Sequence, residues 1–577
     1  MSADERTLTD IVEEFHRDLA RLDRKAIERT LEVYRQAWIA IEASYRELER
    51  RISEAKKAGE PVSPAWLFRE ARYQSLLRQV IEAIGEAGGT LKGEMQGLQS
   101  EAVALAGEHA ARAVEAQAPG ITLAHDVLDH DALTALAAAF QDDSPLATLL
   151  ESLGPDAGKL VRAALVRTVA TGQGPQQMAR ALRRAVGMSM TRAMTIARTE
   201  TIRAYRFAMF RSVDRNRDVL EGWRWVAALS SRTCAACLAL HGRVFPVESR
   251  LHDHPNGRCA VVPVTKTWRE LGIERPAETR PEPPDRDTWF WKLSREQRIR
   301  IVGRTAYEAM RRGELDWRRF ADIADTPWGR TVRRRALREI VGQARYTELR
   351  ALARRVDDRM QADARYAATL DRCDQAAAFL RSQGLDVFAH GVLGWDAEVR
   401  FASGEDVDFY AAYDPRRASI VFGPRFDPDD PRSIHLVLHE MLHAYSNKRG
   451  RSYDWEGLAY EEATVEAMTR RLRREFARFA GLPLEWDEFC REWEQQHPYH
   501  RLVVTLEEMR KLTGKDADSF YRQLLEISAG IRADQIARWM RERAGNLTPR
   551  TQERLEREFE RLHASLTVDI LVIQAGG

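Results

Sequence analysis

Apolar residues recur at spacings of three and four along much of the chain, which is the pattern of amphipathic helices. In the first hundred residues one such stripe is formed by Leu31, Tyr34, Trp38, Ile41, Tyr45 and Leu48. Glu and Arg fill the other faces, and further helices follow between breaks such as Pro119-Gly120 and Gly154-Pro155. The pattern predicts a mostly helical N-terminal region held by ordinary helix packing.

The pattern changes twice further along. Trp223, Trp225 and Val226 alternate as in a β-strand and precede a segment rich in Cys, His, Gly and Pro. A polar linker is predicted at about residues 273–287, and a basic helix from Arg330 to Arg355. A second organised region begins near residue 365, with short strands predicted at 398–401, 406–411 and 418–422, helices to about 562 and a β-prone tail at 568–573.

Length and composition set the limits of this organisation. The chain has 577 residues, whereas single cores stop growing near about 250–300. We predict divisions at residues 1–125, 126–272, 273–364 and 365–577. Lys+Arg 89 against Asp+Glu 87 leaves a net charge of +2, so no specific nucleic-acid binding is predicted. No apolar run approaches the roughly 20 residues of a spanning helix. The polar N-terminus is not a Sec signal, and five cysteines are too few for a disulfide scaffold.

Three of the five cysteines fall in one short window. Cys234 and Cys237 form C-x2-C, and Cys259 follows after His241, His252 and His254. Thiolate and imidazole are the ligands of tetrahedral zinc, so Cys234, Cys237, Cys259 and one histidine, taken as His254, predict a closed structural site. Two alternatives stay open: buried cysteines without metal, and a redox pair, although the βαβ context of a thioredoxin-like motif is absent.

The same segment resembles a known family. The motifs that carry the resemblance are Arg232-Thr233-Cys234, His254-Pro255-Asn256, Arg258-Cys259 and, upstream, Ala197-Arg198-Thr199-Glu200. Over about residues 130–270 they resemble the phage Mu F-like head morphogenesis family, which usually has Asp where Ser230 stands and Cys where Gly257 stands. The resemblance implies a minor capsid component associated with the portal, and no catalysis in this region. Arg198 and Glu200 are then expected to make structural contacts.

A second cluster lies in an apolar helical segment. His439-Glu440-Met441-Leu442-His443 is an H-E-x-x-H motif, which places both histidines on one helix face, where they can bind one metal ion. Glu440 lies beside them, where it can reach a metal-bound water. A third ligand is required, and Glu462 and Glu466 share a face of the next helix, whereas Glu461 is expected to point elsewhere.

This arrangement resembles the gluzincin branch of zincin metallopeptidases over about residues 365–540. The resemblance implies Glu462 as the third zinc ligand and Glu466 as the carboxylate that orients a ligating histidine. It also implies that the strand at 418–422 is an edge strand along which substrate lies. The transition-state stabiliser is left open among Tyr413, Tyr499 and His500. A structural metal site and a coincidental motif are the alternatives to an active hydrolase.

Together these observations predict a multidomain chain. A mostly α head-morphogenesis region with a small zinc-knuckle-like α+β insert precedes an α+β zincin-like domain, with one catalytic and one structural Zn²⁺. The expected partners are capsid and portal proteins, a peptide substrate and, for a toxin, an immunity protein. The expected location is the bacterial cytoplasm during assembly and then the capsid interior. The resemblance favours a virion-borne toxin delivered into a bacterial cell. The alternatives are a maturation protease and a structural head protein with an inactive C-terminal domain.

Overall fold

The computed structural model describes residues 8–121, 123, 130–251, 253–274, 282–326, 329–388, 395–402, 409–414, 416–446, 455–545 and 547–576. The chain forms two compact units, each built from two stretches of sequence. The first contains Met1–Pro284 and Trp317–Arg335, and the second contains Asp285–Asp316 and Ala336–Gly577. Helices dominate both units and the sheets are small, as the sequence predicts. The finer boundaries at 125, 272 and 364 stay predictions.

Eight helices of the described residues belong to the first unit. They are α1 (Leu8–Lys57), α2 (Pro64–Arg69), α3 (Ala71–Gln117), α4 (His130–Asp143), α5 (Leu146–Glu151), α6 (Leu153–Ala170), α7 (Pro175–Arg215) and α8 (Ala235–Leu240). The long helices α1, α3, α6 and α7 pack against one another. Their apolar stripes therefore form a shared core.

The predicted stripe of α1 is largely buried. Tyr34, Ile41, Tyr45 and Leu48 lie in the core, whereas Leu31 is 44% exposed. Ala37 is buried between these positions, Trp38 is half-buried, and Leu31 lies outside the buried face. Full burial of a Leu or Ile side chain contributes about 1.5–3 kcal/mol, so the stripe is a main stabilising feature of α1.

A three-stranded antiparallel sheet follows α7. Its strands β1 (Leu220–Val226), β2 (Val244–Pro246) and β3 (Ala260–Thr265) have the order β2-β1-β3. Every residue of β3 is buried, and all but one of β1. A separate hairpin of β4 (Ala321–Thr326) and β5 (Gly329–Arg334) packs against α8.

The second unit is helical around one small sheet. Its helices are α9 (Arg286–Lys292), α10 (Arg295–Val302), α11 (Arg304–Arg311), α12 (Leu337–Val341), α13 (Gln343–Ala362), α14 (Ala364–Ser382), α15 (Ser433–Ser446), α16 (Trp455–Ala480), α17 (Glu485–Gln496), α18 (Tyr499–Thr513), α19 (Ala517–Leu525), α20 (Arg532–Ala544) and α21 (Pro549–Gly576). The strands β6 (Val399–Phe401), β7 (Ala411–Asp414) and β8 (Ser419–Phe422) have the order β6-β8-β7. β8 is parallel to β6 and antiparallel to β7.

Three sequence-based expectations about these elements need correction. The predicted start of the basic helix is wrong, because residues 330–334 pair with β4 as a strand. The helix is also divided, since Gly342, with a φ of 83°, separates α12 from α13. The tail at 568–573 is helical, because Leu562, Leu566 and Ile570 are buried at a spacing of four. The strand at 418–422 is the central one, and β7 lies at the edge.

Two further expectations fall partly outside the described residues: positions 406–408 of a predicted strand and 275–281 of the predicted linker. Among the residues that the structure describes, no helix has the length and apolar character needed to cross a membrane.

Candidate functional site

The H-E-x-x-H motif lies in α15, whose apolar residues anchor it in the second unit. Ile434, Val437, Leu438, Met441 and Leu442 are fully buried. Their burial fixes the rotation of the helix, so that the remaining face, with both motif histidines, lies against α16 and β7. The largely apolar helix predicted from the sequence is confirmed.

Three side chains from α15 and α16 meet at one point. His439 Nε2 and His443 Nε2 are 3.1 Å apart, and Glu462 Oε2 lies 3.4 Å from each of them. Ligands at about 2.05 Å from a tetrahedral zinc ion are about 3.3 Å from one another. The structure therefore brings together the three predicted ligands at the spacing that such an ion requires.

The electrostatics of this point also fit a cation. Glu462 Oε2 is buried and has no hydrogen bond of good geometry among the described residues. Burial alone would raise the pKa of Glu462, but His443 and His439 hold it well below its usual range. A buried anionic oxygen is costly unless positive charge lies beside it, and a bound metal ion would supply that charge when both histidines are neutral.

Each histidine is held by a carboxylate at its other nitrogen. His439 Nδ1 lies 3.1 Å from Glu466 Oε2, as the predicted orienting role of Glu466 requires. His443 Nδ1 lies 3.0 Å from Glu461 Oε1. Such contacts place the proton on Nδ1 and leave the Nε2 lone pair facing the ligand point.

The expectation that Glu461 points elsewhere is therefore wrong. Besides contacting His443, its carboxylate accepts a hydrogen bond from Ser446 at 2.8 Å and pairs with Arg532 Nη2 at 2.8 Å. The packing of α15 on α16 places neighbouring glutamates on two sides of His443. The adjacency of Glu461 and Glu462 in the sequence was the signal that could have indicated this contact.

A buried relay that the sequence did not predict also holds Glu466. Arg473 Nη1 donates to His435 Nδ1 at 3.0 Å, and His435 Nε2 lies 2.9 Å from Glu466 Oε2. Burial lowers the pKa of His435, while Glu466 opposes that effect. Because a guanidinium only donates, Nδ1 accepts and Nε2–H donates to Glu466. The position of His435, four residues before His439 on the same helix face, was the available signal.

Glu440 lies beside the ligands and is only 7% exposed. Burial raises the pKa of Glu440, while His439 and His443 oppose that effect. The backbone N–H of Tyr413, in β7, donates to its carboxylate. The predicted general base is thus positioned by the neighbouring strand.

A cleft with a volume of 1080 Å³ opens in front of these residues. Its walls are formed by β7, the segment from Trp493 to Arg501 and the end of α21. All three candidate stabilisers line it. The Tyr499 ring lies 6.1 Å from the His439 ring and Glu462 raises the pKa of Tyr499, whereas His500 Nδ1 lies 3.0 Å from Arg470 Nη1.

The cysteine cluster lies in the first unit. Cys234 caps the N-terminus of α8, and its Sγ is 3.1 Å from His254 Nε2. Cys237 Sγ is 3.5 Å from the same nitrogen, and Cys259 groups with Cys237 and Asp253. His241 instead accepts from the Ala227 N–H and lies 2.9 Å from the Pro284 carbonyl. His252 lies outside the described residues.

Asp253 is a buried member of this cluster that the sequence pattern did not predict. Its carboxylate accepts from Cys237 Sγ at 3.1 Å, from the Cys259 N–H at 3.1 Å and from Arg206 at 3.2 Å. Burial alone would raise the pKa of Asp253, but Arg206 and His254 keep it below its usual value. A Cβ at Gly257 would lie 2.0 Å from its carboxyl carbon, so this carboxylate occupies the space of a side chain at 257.

The segment that holds this cluster matches a known family. Residues 159–262 match the family model described as Phage Mu protein F like protein. The match covers less than a fifth of the chain and includes all four predicted ligands of the cluster. It indicates a phage head morphogenesis protein, with capsid-associated partners and association with the virion. No curated protein and no solved structure matches the chain.

The upstream motif within the matched segment makes structural contacts. Arg198 pairs with Asp23 of α1 through two bonds, one of them 2.9 Å long. Glu200 is fully buried and contacts Ser144 and Arg203. These contacts tie α7 to its neighbours, in line with the structural role expected for both residues.

Proposed function

We propose that this chain is a phage or prophage minor head protein whose second unit is a zinc-dependent metallopeptidase. The observation that carries the proposal is the meeting of His439, His443 and Glu462 at tetrahedral spacing on the wall of an open cleft. Three protein ligands leave one coordination position for water or substrate, which distinguishes catalytic from structural zinc sites.

The residues around this point have the roles that peptide hydrolysis needs. When bound there, zinc supplies a Lewis acid that activates water and polarises a carbonyl group. The carboxylate of Glu440 accepts the proton of the attacking water and returns it to the leaving amine. The Tyr413 N–H keeps that carboxylate in place, while Glu461 and Glu466 keep the two imidazoles in the ligating tautomer.

The shape of the cleft favours an extended peptide as the substrate. β7 is the edge strand beside Glu440, and an edge strand can pair with a peptide backbone by β-addition. Tyr410, Trp493 and Tyr499 offer aromatic surface to its side chains. The edge-strand role that the family resemblance assigned to 418–422 therefore passes to β7.

We further propose that the peptidase is an effector that the particle carries into a bacterial cell. The argument is that one polypeptide joins the hydrolase to a head-morphogenesis segment, so every incorporated copy of that segment brings the hydrolase with it. Its target would be a protein of the recipient cell, and a producing cell would need an immunity protein.

The test is expression of the full chain in a bacterium together with hydrolysis of a peptide library by the purified protein. The full chain is required because α9–α13 belong to the same unit as the site. We expect growth arrest and zinc-dependent hydrolysis that Glu440→Gln abolishes and the exposed control Glu475→Gln retains. A hydrolase that cleaves scaffold proteins without arresting growth would be a maturation protease. Full activity of Glu440→Gln would contradict the peptidase assignment.

A further inference from the structure

The first unit contains a second group of metal-binding side chains, which the proposed peptidase does not use. Cys234, Cys237 and His254 bring their donor atoms together, and Cys259 joins Cys237 in an overlapping group that also includes Asp253. We propose that these four side chains bind a structural zinc ion. The proposal stands independently of the proposed hydrolase.

The distances between the donor atoms support this assignment. His254 Nε2 lies 3.1 Å from Cys234 Sγ and 3.5 Å from Cys237 Sγ. A sulfur and a nitrogen bound to one tetrahedral zinc ion are about 3.5 Å apart. Each of the two sulfurs is therefore nearly at ligand spacing from the nitrogen.

The histidine is oriented for ligation. His254 Nδ1–H donates to the carbonyl of Pro255 at 2.8 Å, which leaves the lone pair of Nε2 facing the two sulfurs. A ligating histidine almost always makes such a bond through its other nitrogen. The bond is local, so it forms with the turn itself.

Cys259 rather than Asp253 supplies the fourth ligand. Both oxygens of Asp253 already accept hydrogen bonds, from His254 N–H at 2.9 Å on one side and from Cys259 N–H and Arg206 on the other. Cys259 Sγ is buried and groups with Cys237. Asp253 is thus a positioning residue that holds the backbone around the ligands, with Arg206 balancing its charge.

The site would stabilise a segment that has little regular structure of its own. Residues 227–259 connect β1 to β3, and their described part contains only the six-residue α8 and the three-residue β2. The ligands lie at the start of α8, in the turn before Gly257 and immediately before β3. A closed zinc site contributes its binding free energy directly to folding, so metal here would fix this connection on the sheet.

The experiment uses the full chain carrying His439→Ala and His443→Ala, so that zinc in the second unit does not contribute. We expect about one zinc per chain by elemental analysis, as one closed site predicts, and none after Cys234→Ser or Cys259→Ser. Cys373→Ser and Cys490→Ser are the matched controls, because both cysteines are buried in the second unit. Asp253→Asn should retain zinc.

A second measurement keeps the proposal testable if the cysteine variants fail to fold. In the double-histidine variant without further changes, Cys234 should resist iodoacetamide until a chelator is added and should then react at least about 10-fold faster, since a metal-bound thiolate is not free to attack. A metal-free protein in which Cys234 reacts at once would overturn the proposal and indicate a reactive thiol paired with His254. Zinc loss in a folded Asp253→Asn protein, with zinc retained in Cys259→Ser, would overturn the assignment of Cys259.

Discussion

The two donor clusters differ in the same features that separate structural from catalytic metal sites. The cluster of the first unit combines three thiols with one imidazole at buried and half-buried positions, and the cluster of the second combines two imidazoles with one carboxylate beside a 1080 Å³ cleft. Four protein ligands would close the first site, whereas three would leave the second open to water and substrate. The comparison teaches that the number of protein ligands and the access to them carry more functional information than the presence of metal-binding residues alone.

They also differ in what surrounds the ligands. In the second unit the carboxylates of Glu461 and Glu466 orient both histidines, and a third, Glu440, is directed into the cleft. In the first unit Asp253 bonds to backbone N–H groups and to Arg206. The carboxylates of the second unit would tune metal ligands for chemistry, whereas Asp253 of the first unit fixes a loop.

The largest expected effect separates catalysis from metal binding within the second cluster. Glu440 is not a proposed ligand, so Glu440→Gln should retain zinc. Gln has a similar shape but cannot accept the proton, and turnover should fall by about 10²–10⁴-fold. Zinc content and peptide hydrolysis, measured on the same preparation and alongside Glu475→Gln, check this. A variant that lost its zinc would show that Glu440 is a ligand.

How far the sequence predicts these sites depends on how local the contacts are. His439, Glu440 and His443 lie within about one helical turn, so their spacing in the sequence was sufficient to predict that they lie together. Glu461 was misassigned because its contact with His443 depends on how α16 packs on α15. Asp253 was missed because its burial depends on Arg206 of α7.

Strand order shows the same limit at the level of the fold. The pattern of residues 418–422 correctly predicted a strand, but not its central place between β6 and β7. That place depends on pairing with β6, which lies about 20 residues earlier in the chain. The long helices were predictable because their periodicity is a property of each segment by itself.

The next largest effect concerns the third ligand. Glu462→Ala removes an anionic oxygen 3.4 Å from both histidines, so zinc affinity should fall by more than the about 10–100-fold typical of the loss of an orienting residue. Hydrolysis should fall with it and should partly recover when zinc is added. Titration of the metal-free protein with zinc, with hydrolysis assayed at each step, measures the zinc affinity and the recovery of activity. Normal zinc binding would transfer the ligand role to Glu461 or Glu466.

A smaller effect is expected from the carboxylates that orient the histidines. Glu466→Gln and Glu461→Gln keep the side-chain size but weaken the bonds to His439 and His443, and each should reduce zinc affinity by about 10–100-fold. Hydrolysis at saturating zinc should fall less than in Glu440→Gln. If the rate of hydrolysis fell equally at saturating and at limiting zinc, these carboxylates would act in the chemical step instead.

The relay behind Glu466 should have a weaker influence still. His435→Phe removes the Nε2–H donor to Glu466, and we expect a loss of zinc affinity at or below about 10-fold, the lower end of the range for such outer residues. His435→Gln can donate again and should restore part of the affinity. A loss of thermal stability in both variants without any change in zinc affinity would indicate a purely structural role for His435.

The smallest expected effect tests whether the two clusters are independent. Cys259→Ser should remove the zinc of the first unit and lower its thermal stability, because a closed site contributes to folding. Cys259 lies in a different compact unit from His439, His443 and Glu462, and sites without shared partners usually behave additively. Peptide hydrolysis by the full chain should therefore stay within about twofold of the unmodified protein, since additive sites couple by only about 0.3–0.5 kcal/mol. The check is hydrolysis at a temperature below the first unfolding transition, with Cys490→Ser as the control. If hydrolysis were lost while the second unit remained folded, the cysteine cluster would belong to the catalytic machinery, and the contrast between a closed and an open site would not hold.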